Sequence, residues 1–375
     1  MIIGRLVLVA ALVVVCSSAM MVRLWYLQVF EKDFLQDQGD ARTIRMERIN
    51  AHRGIIQDRY GKPLAVSTPA LSLWANPGEV LNSKDPLGPL IDYLGVSEKS
   101  FIDRLSKAQK KNFVYLRRHL PPAEARNIMK LGISGVYAER EYNRFYPAGE
   151  VTSHLVGFTN IDDKGQEGLE LSYDHWLAGS PGKKKVLKNL HGEIVRDIAP
   201  IAEARSGRDL TLGVDLRLQY LAYRELKSAV IHYEAESGSA VILDVETGRV
   251  LAMVNQPSFN PNNRKGLDMN AVRNRAVTDV FEPGSTVKPF TVGVALQTDR
   301  YEPGTVIDTS PGFYRVGGFT IRDPHDRGVI NLSEVIAQSS QVGIAKLALD
   351  LNEYDVRSMF ESLRFGQDLG SGFPG

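Results

Sequence analysis

Seventeen consecutive residues, Leu6 to Val22, carry no charge, with Arg5 ahead of them and Arg23, Trp25 and Tyr26 close behind. That length is at the short end of what a helix needs to cross a hydrocarbon core. Arg23 can lay its aliphatic stem along the apolar segment while its guanidinium reaches the headgroups. The two aromatics suit the same level, so the compatible stretch runs a little further. The competing reading is a secretory signal peptide cut at Ser17-Ser18-Ala19. No better cleavage site follows, and the expectation is an anchor that stays attached. With Arg5 and the amino terminus on the inner side, everything after about Phe30 is expected outside the cytoplasm.

The chain as a whole has the composition of globular protein. Its 375 residues are 43% apolar and 24% charged, enough for two ordinary cores. A formal net charge of +1 gives no electrostatic reason for a nucleic-acid partner. The single cysteine, Cys16, lies inside the apolar segment, so neither a disulfide framework nor a thiolate metal site is available. No metal site and no cofactor are expected. The organisation expected is residues 1–44 as a short cytoplasmic end, an anchor at about 6–22 and a linker; 45–205 as a first module; and 206–375 as a second domain.

Glu31 to Glu47 is charged and sparsely apolar, as in a linker or a helix leading away from the membrane. His52 to Val66 reads as two short strands joined by a turn at Tyr60-Gly61. Ser97 to Ala108 and Pro122 to Leu131 have helical periodicity, whereas Leu71 to Trp74 and Phe113 to Leu116 look extended, which makes a mixed α+β module. Glu170 is either a partner of Arg53 or Arg59 or a solvated carboxylate. Near Leu210 a new domain begins: a strand Leu210 to Val214, Asp215 as a cap, then an amphipathic helix from Leu218 to Tyr233. Ala240 to Val245 and Arg249 to Val254 flank Glu246-Thr247-Gly248 as a hairpin whose nearly all-apolar strands are expected to be covered on both faces. Pro257 to Lys265 is a loop rich in Asn and Pro.

That loop leads to the stretch with chemistry, Phe281-Glu282-Pro283-Gly284-Ser285-Thr286-Val287-Lys288-Pro289-Phe290, followed by an apolar run to Leu296. On a helix, Ser285 and Lys288 share a face. Gly284 leaves room for a substrate backbone, and Pro289 falls near the first turn, where its missing N–H costs least. The helix dipole and Lys288 together favour the alkoxide of Ser285, so a serine nucleophile can work there without histidine. Ser-x-x-Lys is expected about once by chance in such a chain. A second copy, Ser180-Pro181-Gly182-Lys183, has no apolar helix behind it and reads as a surface turn. The bland reading of Ser285 is an ordinary helix cap beside a solvated lysine.

Hairpin, Asn/Pro loop, Ser285 to Lys288 and then Ser339-Ser340-Gln341-Val342-Gly343 resemble, in that order, the penicillin-binding proteins. With the anchor, Arg53-Gly54 and Arg144 to Gly149, the chain resembles the class B, monofunctional type over nearly its whole length, and within it the septal peptidoglycan D,D-transpeptidases of Gram-negative bacteria. The resemblance implies a multidomain α+β protein: a transmembrane helix, a pedestal (dimerisation-type) module, and a partial transpeptidase domain of serine β-lactamase type with an antiparallel sheet packed by helices. It implies cross-linking of stem peptides through an acyl-enzyme on Ser285, with Lys288 as general base, Ser339 relaying a proton to the leaving group, and Gln341 and Gly284 at the substrate. The partners implied are D-Ala-D-Ala donors, amine acceptors, β-lactams and division-machinery membrane proteins including a septal glycosyltransferase. The place implied is the inner membrane, single-pass, with the bulk in the periplasm.

Two departures bear on that expectation. The second motif ends in asparagine in the family and here in Gln341, one methylene longer, which leaves two readings: Lys288 and the substrate amide displaced by about 1 Å, or an active site that tolerates the longer side chain. The third motif, Lys-Thr-Gly or Lys-Ser-Gly, does not occur in these residues, and Gly372 to Gly375 looks like the middle of a domain. The 375-residue chain is therefore expected to be inactive by itself, with a bare sheet edge. The alternatives are a catalytically silent, membrane-anchored scaffold of the division machinery and an elongation-type transpeptidase. A serine β-lactamase has no reason to carry the anchor and the module of Arg53 to Gly182.

Overall fold

The computed structural model describes residues 2–32, 44–188, 194–368 and 370–373. The middle of the expected linker lies outside the described residues. The anchor is one helix, Ile2–Val29, and its portion long and apolar enough to cross a membrane is Ala10–Val29, with mean hydropathy 1.8. This moves the span past the expected end at Val22, because Leu24 to Val29 are again uncharged and Arg23 alone does not interrupt the helix. The Arg23 guanidinium lies 5.4 Å from the Tyr26 ring centroid. Tyr26 stacks on Phe30, and Trp25 meets the same ring edge-on. These contacts gather the amphipathic side chains into a belt at one end of the apolar helix.

Two compact units follow from the chain's internal contacts, one running to Ala276 and the other Val277–Phe373. In the first, β1 (Ile44–Ile49) is followed by β2 (Ile56–Gln57), which turns at Asp58 to Lys62 into β3 (Pro63–Ala75). The Asp58 carboxylate accepts from the N–H groups of Tyr60 and Lys62 at 2.8 Å each, and Gly61 supplies the left-handed residue. β4 (Val114–Leu120) and β5 (Val136–Phe145) pair antiparallel on the two sides of β3. Helices Glu98–Lys107 and Pro122–Met129 are where periodicity puts them. Ser97 caps the first, and Phe101 and Leu105, one turn apart, bury with Leu73, Leu90, Leu120 and Ile128 in one core.

A charged network lies inside the same unit. Glu170 is completely buried and accepts from Arg53 Nε and Arg144 Nε at 2.7 Å each, while Arg53 also reaches Asp174. The solvated reading of Glu170 is thus excluded, and Arg144 rather than Arg59 is the second partner. Asp163, whose carbonyl accepts from Arg53, has one buried carboxylate oxygen without a hydrogen-bond partner. Burial raises its pKa to about 6, with Glu170 and Asp174 adding to the shift and Arg53 and Arg144 opposing it.

Strands β6 (Gly182–Lys188) and β7 (Ile194–Ala202) join β1 in a three-stranded antiparallel sheet of order β1-β6-β7. The second Ser-x-x-Lys copy is therefore no turn. Ser180 bridges Arg205, and Lys183 is inside β6, bonded on both sides to other strands. Backbone pairing over six residues of β1 overrides the Pro-Gly signal that suggested a loop.

β8 (Leu210–Thr211) runs parallel to β2, and Asp215 caps the helix Leu216–His232 by accepting from the Arg217 N–H at 2.9 Å. The hydrogen bond from the Arg217 side chain pulls the Asp215 carboxyl down to about 2. Gln219 ties this helix to the hairpin: its amide donates to Met253 O and accepts from Met253 N, both at 2.8 Å. β9 (Gly238–Leu243) and β10 (Val250–Gln256) form that hairpin, turning at Gly248 in the left-handed region. Among the described residues the expected two-sided cover is not found. β10 is buried over Ala252 to Gln256, but β9 alternates, and Val241 and Leu243 are 43% and 54% exposed. The helix Leu216–His232 covers one face only, closely enough that a Cβ on Gly238 would meet Leu226 and Val230 at 3.0 Å.

The second unit is built on the helix Lys288–Leu296. Its Val292, Val294 and Ala295 form a core with Leu332, Leu347 and Leu351 from the helices Leu332–Ala337 and Gln341–Asp350 and the residue that ends the latter. β11 (Val306–Asp308) pairs with β14 (Val329–Asn331), and between them β12 (Phe313–Val316) pairs with β13 (Phe319–Arg322). The chain is a multidomain α+β protein.

Candidate active site

Ser285 stands in a 3₁₀ turn, Gly284–Val287, that runs directly into the helix Lys288–Leu296. Gly284 has φ +60°, a conformation that other residues resist, so the turn itself requires glycine. The space beside it is also open, since an added Cβ would meet nothing within 4 Å. Thr286 Oγ1 donates to Pro283 O at 2.6 Å and closes the turn. Pro289 occupies the helix's first turn, where its missing N–H donor costs least.

Lys288 is only 9% exposed. Its ammonium donates to the Ser339 carbonyl at 2.7 Å and to Ser339 Oγ at 3.0 Å, and Ser339 Oγ in turn donates to Ser285 Oγ at 3.0 Å. The structure thus joins Ser285, Lys288 and Ser339, with one difference from the sequence reading. Among the described residues Lys288 makes no direct hydrogen bond to Ser285; the hydroxyl of Ser339 connects them. Burial lowers the Lys288 pKa below its ordinary 10.5, Arg327 lowers it further, and Asp323 opposes both. A neutral amine is what a general base needs.

Ser339 has φ +52°, a left-handed conformation costing on the order of 1 kcal/mol for a serine. Its surroundings hold it there. The end of the helix Leu332–Ala337 accepts from it, with Ser339 N donating to Ile336 O at 3.0 Å and Ser340 N to Val335 O at 2.9 Å. On the other side, Ser340 Oγ caps the next helix by accepting from Gly343 N at 2.9 Å. Gly343 is needed for contact, since a Cβ would come within 2.8 Å of Val335.

Asp323, just past the end of β13 and 8% exposed, completes the clamp. Its carboxylate accepts from Ser340 Oγ and Gln341 N at 2.5 Å each and from Val342 N at 3.3 Å. Sequence reasoning missed this residue. Seventeen positions separate Asp323 from Ser340, so no local periodicity links them, and an aspartate before proline reads as a turn residue. Gln341 begins the helix Gln341–Asp350 with its side chain exposed and without a hydrogen-bond partner among the described residues. Among the described residues Lys288 is held through Ser339, and the Gln341 side chain makes no hydrogen bond to it. Among the described residues no cluster of His, Cys, Asp and Glu could hold a metal ion.

Residues 48–212 match the family model of the penicillin-binding protein dimerisation domain, and residues 238–375 that of the penicillin binding protein transpeptidase domain. A probable peptidoglycan D,D-transpeptidase PbpC of Pseudomonas aeruginosa is 42% identical over 99% of this chain. The peptidoglycan D,D-transpeptidase FtsI of Escherichia coli is 40% identical, also over 99%. The chain belongs to the class B penicillin-binding proteins. It spans 66% of the length of the Pseudomonas relative and 63% of the Escherichia one. Among solved structures, the penicillin-binding protein PBP2 of Helicobacter pylori, solved with MreC, matches with a TM-score of 0.66 at 22% identity over 88% of this chain and 67% of that one, which speaks for the fold. A peptidoglycan synthetase from Bifidobacterium adolescentis matches with a TM-score of 0.62 at 25% identity, over 88% of this chain and 65% of that one. In this penicillin-binding protein the Ser285–Lys288 pair falls in the part that matches the transpeptidase model, and the buried Arg53–Glu170–Arg144 network in the part that matches the dimerisation model.

Proposed function

We propose that this penicillin-binding protein is a peptidoglycan D,D-transpeptidase of septal cell-wall synthesis, acylated at Ser285 by stem peptides and by β-lactams. The observation that carries the reading is the hydrogen-bonded line from Lys288 Nζ through Ser339 Oγ to Ser285 Oγ, 3.0 Å at each step. Ser285 Oγ bonds to the carbonyl carbon of the penultimate D-Ala, and its proton passes through Ser339 to the neutral Lys288 amine. The C–N bond to the last D-Ala breaks, and the leaving amine takes that proton back from Lys288 along the same line. An amine from a neighbouring strand then attacks the ester, and Ser285 leaves with the proton the amine gives up. The Ser285 N–H serves as one oxyanion donor, a contact typically worth about 3 kcal/mol. Gly284 and Gln341 border the substrate.

The septal assignment rests on the identity to the FtsI proteins. The helix ending at Val29 anchors the chain in the inner membrane with its bulk in the periplasm, where division-machinery membrane proteins, including a septal glycosyltransferase, are its partners. Nucleic acid has no part. Mixing the full-length protein with a pentapeptide donor and a D-amino-acid acceptor tests the activity: exchange of the terminal D-Ala is expected there, and Ser285→Ala should abolish it. Exchange that survives Ser285→Ala, or its absence in a protein that still assembles with its partners as a silent scaffold does, contradicts the proposal.

A further inference from the structure

The second Ser-x-x-Lys copy belongs to a different surface. Across β1 and β6, Arg48 lies opposite Lys183, Met46 opposite Lys185 and Ile44 opposite Leu187. Across β6 and β7, Lys183 lies opposite Ala202, Lys185 opposite Ala199 and Leu187 opposite Arg196. Residues opposite one another share a face of a sheet. Arg48, Lys183, Lys185 and Arg196 therefore stand together with no acid among them. All four are exposed, and none forms an ion pair among the described residues. The other face carries both signs: Glu47 and Asp197 stand among its cations, and Lys184 pairs with Asp197 at 3.0 Å.

Sorting of charge by face at this level has a cost. Arg48 and Lys183 are like charges directly opposite each other, a cross-strand pair that destabilises a sheet unless an anion lies over it. Met46, 57% exposed, stands between the cations and offers apolar contact on the same face. We propose that this face docks on anionic phospholipid headgroups of the membrane that holds the chain's own helix. Fourteen residues separate the end of that helix at Val29 from the start of β1 at Ile44, so the sheet cannot stray more than about 50 Å from the helix end. A tether of that length keeps the lipid surface at high effective concentration. Cations interleaved with an exposed apolar side chain are the combination that binds an anionic interface. The inference rests on the anchor reading of Ile2–Val29.

The test is lysine footprinting of the whole chain in lipid nanodiscs. Acetylation of Lys183 and Lys185 should be slowed about tenfold in phosphatidylglycerol discs relative to phosphatidylcholine discs, while the exposed Lys62 reacts equally in both. The difference should vanish at high salt, where screening shortens to a few ångströms, and in Arg48→Glu/Arg196→Glu. Equal rates in the two lipids overturn the proposal, as does protection that appears only with an added acidic polypeptide. If the variant does not fold, the salt series on the wild type decides. A chain that enters neither disc overturns the anchor reading and the docking together, whereas entry without protection overturns the docking alone.

Discussion

Ser339 carries two demands that pull in different directions, a left-handed backbone and a hydroxyl placed 3.0 Å from both Ser285 Oγ and Lys288 Nζ. Asp323 and the Ser340 cap hold that compromise in place. Ser339→Ala should lower the acylation rate by about a hundredfold or more, the range of a lost proton-transfer group, with little change in thermal stability. A rate within a few-fold of wild type would mean that Lys288 reaches Ser285 without it. Lys288 sets the pH dependence. Because burial depresses its pKa, the rate should climb on an alkaline limb whose midpoint lies below 10.5. Asp323→Asn removes an anion that raises that pKa, so the limb should move to lower pH; a shift upward would contradict the electrostatic account. Ser285, Lys288 and Ser339 were legible because their spacing is local or their motif is. Asp323 was not, because its partners are brought to it only by the fold.

At the scale of elements, the helices with caps and one apolar stripe were read from sequence within a residue or two, as Ser97 with Phe101 and Leu105 illustrates. Pairing between distant strands was not. Nothing in Ser180 to Lys183 announces that β1, more than a hundred residues earlier, will hydrogen-bond to it. The hairpin was found, with one face open among the described residues, since an apolar strand does not say how many of its faces are covered. Asp163 offers a test of the pedestal's buried network. Its carboxyl is raised from 3.8 to about 6 in the fold, so the folded state binds the proton more tightly than the unfolded chain. The stability this confers is present below pH 4 and is lost as the pH rises through about 6. Chemical denaturation should therefore show stability falling across that window, and Asp163→Asn should flatten the dependence. Stability that rises over the same window in wild type would contradict this.

For the molecule as a whole, the apolar helix was announced by sequence, and membership of the penicillin-binding proteins agrees with the order of the motifs. The helix Ile2–Val29 should remain on the mature protein. N-terminal sequencing of membrane-extracted protein checks this, and a mature start near Met20 would show a cleaved signal instead. The central claim is that Ser285 is the nucleophile, set apart from Ser180 by its 3₁₀ turn, its buried lysine and the Ser339 bridge. Treating the full-length protein with a fluorescent penicillin, digesting it and locating the label by mass spectrometry tests that most directly. One label on the peptide containing Ser285, lost in Ser285→Ala and kept in Ser180→Ala, is the predicted result; label on the Ser180 peptide, or on neither, would contradict it.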